Sequence, residues 1–364
     1  MTQVMLRGVN LGGWLALEKW MSPAIFAGTD AEDETHLCLA LDDVVKQERY
    51  RRHRDTWVTE SDFVRLAARG LELVRIPVPF FVFGDHRPFL GCADHLDRAF
   101  DWAERHGIRL LPELHVVPES QNGFDGGGLC GVCRFHQDPA HVDIALDVLE
   151  QLAIRYGDHP SLWGIEVLNE PVSREQWELL DVSARYPPAD AARATGSEPV
   201  PTAFLKDFYR RAYERIRARS NARVVFHDGF RMSEWVGFLD GAGFENIVVD
   251  THLYVMWHTL EAPESELADY LAHVARRFGD TLRVYSAHFP ILVGEWNVDT
   301  KAPKAAGLAG AVRRDYARRL AAAHLAAFAP AVGWCYWSIR NHGPACVADL
   351  WDLTRAIELG YLPV

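Results

Sequence analysis

The sequence predicts a closed (β/α)8 barrel, an α/β fold of eight parallel strands wrapped by helices. Short apolar runs of strand length alternate with stretches of helical periodicity, eight times over. No composition break or low-complexity linker divides the 364 residues, so residues 1–364 read as a single barrel, whose usual size is ~200 to more than 400 residues. A doubly wound open sheet is the competing fold. It calls for a G-x-G-x-x-G turn after the first strand, and here Gly12-Gly13 runs straight into Trp14.

Residues 6–10 form the first strand candidate, followed by helical spacing over 60–68 with Ser61-Asp62 near its start. Strand two spans 73–77 and precedes a helix over 94–106. Strand three spans 109–115, with a helix over 141–156. Strand four spans 162–169, and a helix over 203–218 leads to strand five at 223–227. A short helix near 233–239 leads to strand six at 247–252. A helix over 264–278 leads to strand seven at 291–296. A helix over 308–327 leads to strand eight at 332–337, with a last helical stretch in the 350s. Two connections are long: 116–140, rich in Gly, and 171–201, with Pro187-Pro188, Gly196 and Pro199. Both follow strands, so both belong on the face where barrel enzymes build their sites.

The formal net charge is -12, which repels phosphate backbones and anionic membranes, so neither nucleic acid nor membrane is an expected partner. No stretch has the ~18 apolar residues of a membrane span. The start, Met1 to Arg7, lacks the charged-then-apolar pattern of a secretory leader, so a cytoplasmic location is expected. Cys38, Cys92, Cys130, Cys133, Cys335 and Cys346 are too scattered for a disulfide framework. Cys130-Gly-Val-Cys133 is a lone C-x-x-C pair without the second half of a zinc site, and it reads as structural. No cofactor is expected. A metal-dependent hydrolase barrel would need converging ligands such as His-x-His, which does not occur.

Polar and aromatic residues gather at the strand ends: Asn10 and Trp14, Arg75, His115, Asn169-Glu170-Pro171, His227-Asp228, His252 and Tyr254, Glu295-Trp296, and Trp337. Any one of these is usually packing or a paired acid; together, barrel closure brings them around one opening. Two carboxylates there suit glycoside cleavage. One donates a proton to the leaving oxygen and the other attacks the anomeric carbon, and retaining enzymes hold the two ~5–5.5 Å apart. An arginine keeps the nucleophile ionised, and a less charged setting raises the acid's pKa. Glu113 and Glu166 share side-chain parity with His115 and Glu170 and so point inward. They are expected to be buried structural acids, paired with Arg7.

The ordered set resembles glycoside hydrolase family 5, and within it the exo-β-1,3-glucanase branch, over nearly the whole chain. The resemblance rests on Arg7-Gly-Val-Asn-Leu-Gly-Gly-Trp14 with Leu17-Glu18, Val74-Arg-Ile-Pro77, Leu114-His115, Ser120-Gln-Asn-Gly-Phe-Asp125, Leu168-Asn-Glu-Pro171, Asp250-Thr-His-Leu-Tyr254, Val293-Gly-Glu-Trp296, Gly333-Trp-Cys-Tyr-Trp337 and Asp349-Leu-Trp351. It implies a retaining β-glycoside hydrolase with Glu170 as acid/base and Glu295 as nucleophile. Arg75 and Tyr254 would orient Glu295, and Asn169 would bind the 2-hydroxyl. Glu18, His115, His252 and Trp337 would line the subsite for the cleaved glucose. Asp125 lies in the loop that bounds the site, and Phe124 and Trp257 would grip the next sugar. The implied substrate is a β-glucoside or short β-glucan oligosaccharide, cut from its end. Alternatives are an endo-β-1,4-glucanase, a rutinosidase-like diglycosidase, and a non-catalytic sugar-binding barrel. The chain departs from the branch at His115-Val-Val-Pro-Glu119, where His-Gly-Ala-Pro-Gly is usual, and at Trp337-Ser-Ile-Arg340, where Trp-Ser-Trp-Lys is usual. Its 171–201 connection is also longer. All three departures fall on the leaving-group side, where Glu119 would add negative charge.

Overall fold

The structure is a computed structural model that describes residues 5–84, 86–241, 243–343 and 349–363. Eight strands close into one barrel: β1 (Leu6–Asn10), β2 (Leu73–Pro79), β3 (Arg109–Val116), β4 (Gly164–Glu166), β5 (Arg223–His227), β6 (Ile247–His252), β7 (Ile291–Trp296) and β8 (Gly333–Tyr336). Every neighbouring pair is parallel, and β1 pairs with β8 to complete the ring. Among the described residues no helix is long and apolar enough to cross a membrane.

Strand alternation sorts the barrel interior into layers. Leu6, Leu73, Leu111, Val225, Val248, Leu292 and Cys335 pack with Trp163 as an apolar plug. Two residues further along, Arg75, Glu113, Glu166 and Asp250 form a fully buried charged layer, with Glu113 and Glu166 at matched register. One more step brings His115, His227 and His252 to the strand ends. In β7 the register against β6 shifts between Thr251 and His252, so that Thr251 faces Val293 while His252 faces Glu295. The extra residue is Gly294. It turns Glu295, which strict alternation from Leu292 would point outward, onto the inner face. A Cβ at Gly294 would lie 1.9 Å from Asp250 Oδ2, so only glycine fits the bulge.

Several elements differ from expectation. The β4 ladder is short because the chain leaves regular pairing to present Asn169 and Glu170; Asn169 N still donates to Leu114 O at 2.9 Å. The 264–278 helix is split into Leu267–His273, a π turn at Val274–Gly279 and Asp280–Tyr285. The short helix near 233–239 is a 3-10 turn at Met232–Trp235. Helices at Pro23–Phe26, Glu34–Ala40 and Asp43–Trp57 fill the connection after β1 and have no counterpart in the sequence reading. The longest of them buries Lys46, Tyr50, Arg54 and Trp57. Its inner stripe is made of amphipathic side chains that hide an apolar stem under a polar end, so hydrophobic periodicity cannot reveal it. The connection 171–201 is itself partly helical, at Arg174–Leu180, Val182–Arg185 and Ala191–Ala194. Cys38, Cys92, Cys130, Cys133 and Cys335 are buried free thiols, while Cys346 lies outside the described residues.

Candidate active site

The C-terminal strand ends enclose a cavity of about 410 Å³, within the ~300–1,000 Å³ range of small-molecule sites. Glu18, His115, Phe124, Asp125, Asn169, Glu170, Tyr254, Trp257, Glu295 and Trp337 all line it. A larger hollow of about 620 Å³ lies at the opposite end of the barrel, around Leu6, Arg109 and Arg223. The two catalytic candidates are not there.

Arg75 organises the floor. Its Nε and Nη2 donate to the two oxygens of Glu166 at 2.8 and 2.9 Å. Nη1 donates to Glu295 Oε1 at 2.9 Å and to Asn10 Oδ1 at 3.1 Å, and Nη2 reaches Asn169 Oδ1 at 3.0 Å. Glu113 and Asp250 each approach it to 3.5 Å. One guanidinium thus stands among four buried carboxylates, with a paired fork geometry toward Glu166 that lysine lacks. This corrects the expected Arg7 pairing: Arg7 donates instead to Gly70 O at 2.9 Å, outside the inward charged layer. Burial lifts Glu166 to about 8 and Asp250 to about 6, with Arg75 opposing both.

Tyr254 OH donates to Glu295 Oε2 at 2.6 Å. His252 Nδ1 lies 2.7 Å from Glu170 Oε1 and 3.4 Å from Glu295 Oε2. The facing oxygens of the two glutamates are therefore at most about 6 Å apart, the combined length of those two contacts. That bound on the nearest oxygens is compatible with the ~5–5.5 Å carboxyl separation of a double-displacement pair. Glu170 takes a left-handed backbone, φ 44, a conformation costing roughly 1–3 kcal/mol and found where a side chain must be aimed.

Burial raises both acids. Glu170 stands well above the ordinary carboxylate value of 4.5, pushed further by the charge of Glu295. Glu295 rises to about 7 through burial, while Arg75 and the Tyr254 hydroxyl oppose that rise. The arginine and the phenol contact Glu295 and not Glu170, so Glu295 ionises first and Glu170 keeps its proton. One proton shared unequally between two carboxyls is the state that acid-assisted displacement requires.

On one wall, Glu18 Oε2 accepts from Trp20 Nε1 at 2.7 Å. The His115 ring stacks on Trp337 with centroids 5.7 Å apart, and His115 Nδ1 lies 2.5 Å from Glu113 Oε1. Burial lowers His115 to about 4, so it faces the cavity as neutral imidazole. The Gln121 amide spans the floor of this wall, donating to His115 O and Asn169 O at 2.8 Å each. His252 was expected to line the glucose subsite. Its side chain is buried and reaches the cavity through Glu170 and Glu295, which it contacts at 2.7 and 3.4 Å. Arg75 also sits behind the wall and meets the cavity only through Glu295 and Asn169.

The long connections bring residues that the sequence reading missed. Gln176, Leu180 and Tyr186 line the cavity, as do Trp20, Phe230, Met256, Lys301 and Trp351. Strand parity says nothing about loop side chains, so the signals were Trp351, in the Asp349-Leu-Trp351 motif, and Tyr186, placed before Pro187-Pro188. Glu119 does not charge the mouth, because Arg193 Nε donates to its Oε1 at 2.9 Å. Arg340 forms an ion pair with Asp62 away from the cavity.

Three groups of side chains bring possible metal-ligand atoms within 4.8 Å of one another: Glu170, His227 and His252; Glu166, Asp250 and His252; and His258, Glu261 and His273. A cation in the second would sit against Arg75, and in the first its charge would compete with the His252–Glu170 hydrogen bond.

A closed barrel whose mouth holds two close, unequally ionised glutamates, a sugar-sized hollow and stacked aromatic walls defines a glycosidase of the (β/α)8 class. No family model matches the chain. It is 30% identical to a probable glucan 1,3-beta-glucosidase A of Emericella nidulans, over 98% of this chain and 90% of that protein. It is 33% identical to a glucan 1,3-beta-glucosidase of Blumeria graminis, over 80% of this chain but only 64% of the relative. In fold it superimposes on a rutinosidase from Aspergillus niger with a TM-score of 0.76, at 21% identity, covering 99% of this chain and 98% of that one. The chain belongs to the glucan 1,3-beta-glucosidase family and is an O-glycosyl hydrolase.

Proposed function

We propose that the protein is a retaining, exo-acting β-glucosidase of glycoside hydrolase family 5, in its exo-β-1,3-glucanase-like branch, removing a terminal glucose from a β-glucoside or short β-glucan. The proximity of Glu170 and Glu295 across the cavity, bridged by His252, carries this reading. Glu295, ionised against Arg75, attacks the anomeric carbon. Glu170 gives its proton to the leaving oxygen, then takes one from the water that hydrolyses the glycosyl-enzyme. Asn169 is turned by Arg75 toward the place of the sugar's 2-hydroxyl. Glu18, buried beside Trp20 and lining the cavity, supports exo action as a residue placed to accept hydroxyls of a terminal glucose.

The test is proton NMR of early products from an aryl β-glucoside. Retention requires the β-anomer first, and α-glucose first would reject double displacement. Parallel assays on laminaribiose, cellulose and a rutinoside separate exo-glucosidase action from the endo-acting and disaccharide-releasing alternatives.

A further inference from the structure

The connection between β4 and the helix Thr202–Arg217 is the largest feature that the catalytic reading leaves unexplained. It crosses the cavity mouth. Gln176, Leu180 and Tyr186 reach the lining. The Tyr186 ring meets Phe124 with centroids 5.4 Å apart and planes tilted by 38°. Arg185 lays its guanidinium 5.6 Å over the ring of Trp257, which belongs to the connection after β6. The segment thus touches both aromatic residues expected to flank a second sugar.

It is also anchored at many points to the connection after β3. Arg193 pairs with Glu119. Cys133 N donates to Ser197 Oγ at 3.1 Å, and Glu198 N donates back to Cys133 O at 3.1 Å. Gln137 Nε2 donates to Gly196 O at 2.7 Å. Gly131 has φ +70, and a Cβ there would lie 2.5 Å from Tyr186 O and 2.8 Å from the Pro188 ring. The Cys130-Gly-Val-Cys133 stretch therefore serves as the seat of this segment. Glu119 and the long connection, two separate departures from the family pattern, turn out to be partners. Val182 and Val200, fully or nearly buried, fix it from beneath.

We propose that residues 171–201 form a fixed wall that limits the leaving-group subsite to one ring. Leu180, Tyr186, Phe124 and Trp257 would hold a single sugar or a single aromatic ring by its flat face, and the wall stops a glucan chain from continuing beyond it. The substrate class is then disaccharides and simple β-glucosides rather than laminarin. This inference rests on the exo-glucosidase reading above.

The experiment compares kcat/KM for laminaribiose and laminaripentaose, with nitrophenyl β-glucoside as the check on chemistry. In the wild type the pentaose should be no better than the biose. In the double variant Arg185→Ala/Tyr186→Ala the pentaose-to-biose ratio should rise at least about fivefold. Glu119→Gln lies outside the cavity and only loosens the anchor; it should move the ratio in the same direction, by less. A wild type whose kcat/KM climbs tenfold from biose to pentaose overturns the wall, as does a ratio unmoved in folded variants. Should the variants fail to fold, inhibition of wild-type aryl-glucoside hydrolysis decides: the pentaose must compete no better than the biose. Failure to cleave nitrophenyl β-glucoside at all would instead remove the glucosidase reading on which the wall depends.

Discussion

At the residue scale the site is an arrangement for keeping two similar acids different. Arg75 and Tyr254 both touch Glu295, and neither touches Glu170. Glu295→Ala should therefore lower kcat on aryl β-glucosides by about 10⁴-fold or more, since it removes the carboxylate that forms the covalent intermediate. Near-normal turnover in a folded variant would assign the nucleophile elsewhere. Glu170→Gln should slow substrates with poor leaving groups by about 10²–10⁴-fold, the usual worth of general acid catalysis, and dinitrophenyl glucosides far less in the first step. The same pair sets the pH profile. Activity requires Glu295 ionised, so the acid limb of kcat/KM should lie above the ordinary 4.5, toward about 7. It also requires Glu170 protonated, so the basic limb belongs to Glu170, whose carboxyl burial raises well above 4.5. Glu170→Gln should keep the acid limb and abolish the basic one for activated substrates. A basic limb that survives the substitution would assign that proton to another group.

At the element scale the segment after β1 is held by a buried acid. Glu34, on the helix Glu34–Ala40, accepts from Leu17 N at 2.9 Å and so fixes the backbone beside Glu18. Burial lifts Glu34 to about 7, with Arg54 opposing. A raised pKa in the folded state means that its stabilisation is complete below the unfolded value of 4.5 and is lost as pH rises through 7. Glu34→Gln retains the oxygen that accepts from Leu17 and cannot ionise. Relative to wild type it should gain about 3 kcal/mol between pH 4.5 and 8, from the linkage of about 1.36 kcal/mol per pKa unit. Urea unfolding of both proteins at pH 5 and pH 8 measures this, and a difference independent of pH would show that Glu34 does not titrate in that window. This helix also marks where sequence reading stops. The eight strands were legible because barrel strands are short, apolar and separated by regular helices. The strand-end residues were legible because parity and order place them. The helix Asp43–Trp57 was not, because its buried face is Lys46, Tyr50, Arg54 and Trp57. Nor was the inward turn of Glu295 derivable from alternation alone, since it depends on a bulge at Gly294 made room for by Asp250. The partner of Glu166 was misassigned for a related reason. Parity showed that the acid points inward, but which arginine shares its layer depends on strand stagger, and that layer contains Arg75.

At the scale of the whole molecule the buried charges make stability a balance of two opposed sets of protons. Glu166 is raised to about 8, Glu34 and Glu295 to about 7, and Asp228 and Asp250 to about 6; Glu18, Glu113 and Glu170 are also raised. Each of these holds a proton in the fold that the unfolded chain releases near 4, so each costs stability as pH rises through its folded value. Buried histidines act in the other direction. His115 and His324 are lowered to about 4, and His227 and His252 are lowered as well. Unfolded, they would bind protons below 6.5, so each costs stability as pH falls below that value. Between about pH 5 and 7 the eight carboxyls outnumber the four histidines, so the two sets cancel only in part and stability should fall as pH rises. Above pH 7 the histidines no longer contribute, while the most strongly raised carboxyls still ionise, and the net charge of -12 adds self-repulsion. Below about pH 5 the carboxyl set is nearly complete in both states and the histidine cost remains. The thermal midpoint should therefore be highest near pH 5 and fall toward alkaline pH, more steeply in wild type than in Glu34→Gln. Differential scanning calorimetry across pH 4–9 measures it. A midpoint that rises continuously through pH 9 would mean that the carboxyls of the barrel interior are ionised throughout, and with them the unequal protonation of Glu170 and Glu295 would lose its physical basis.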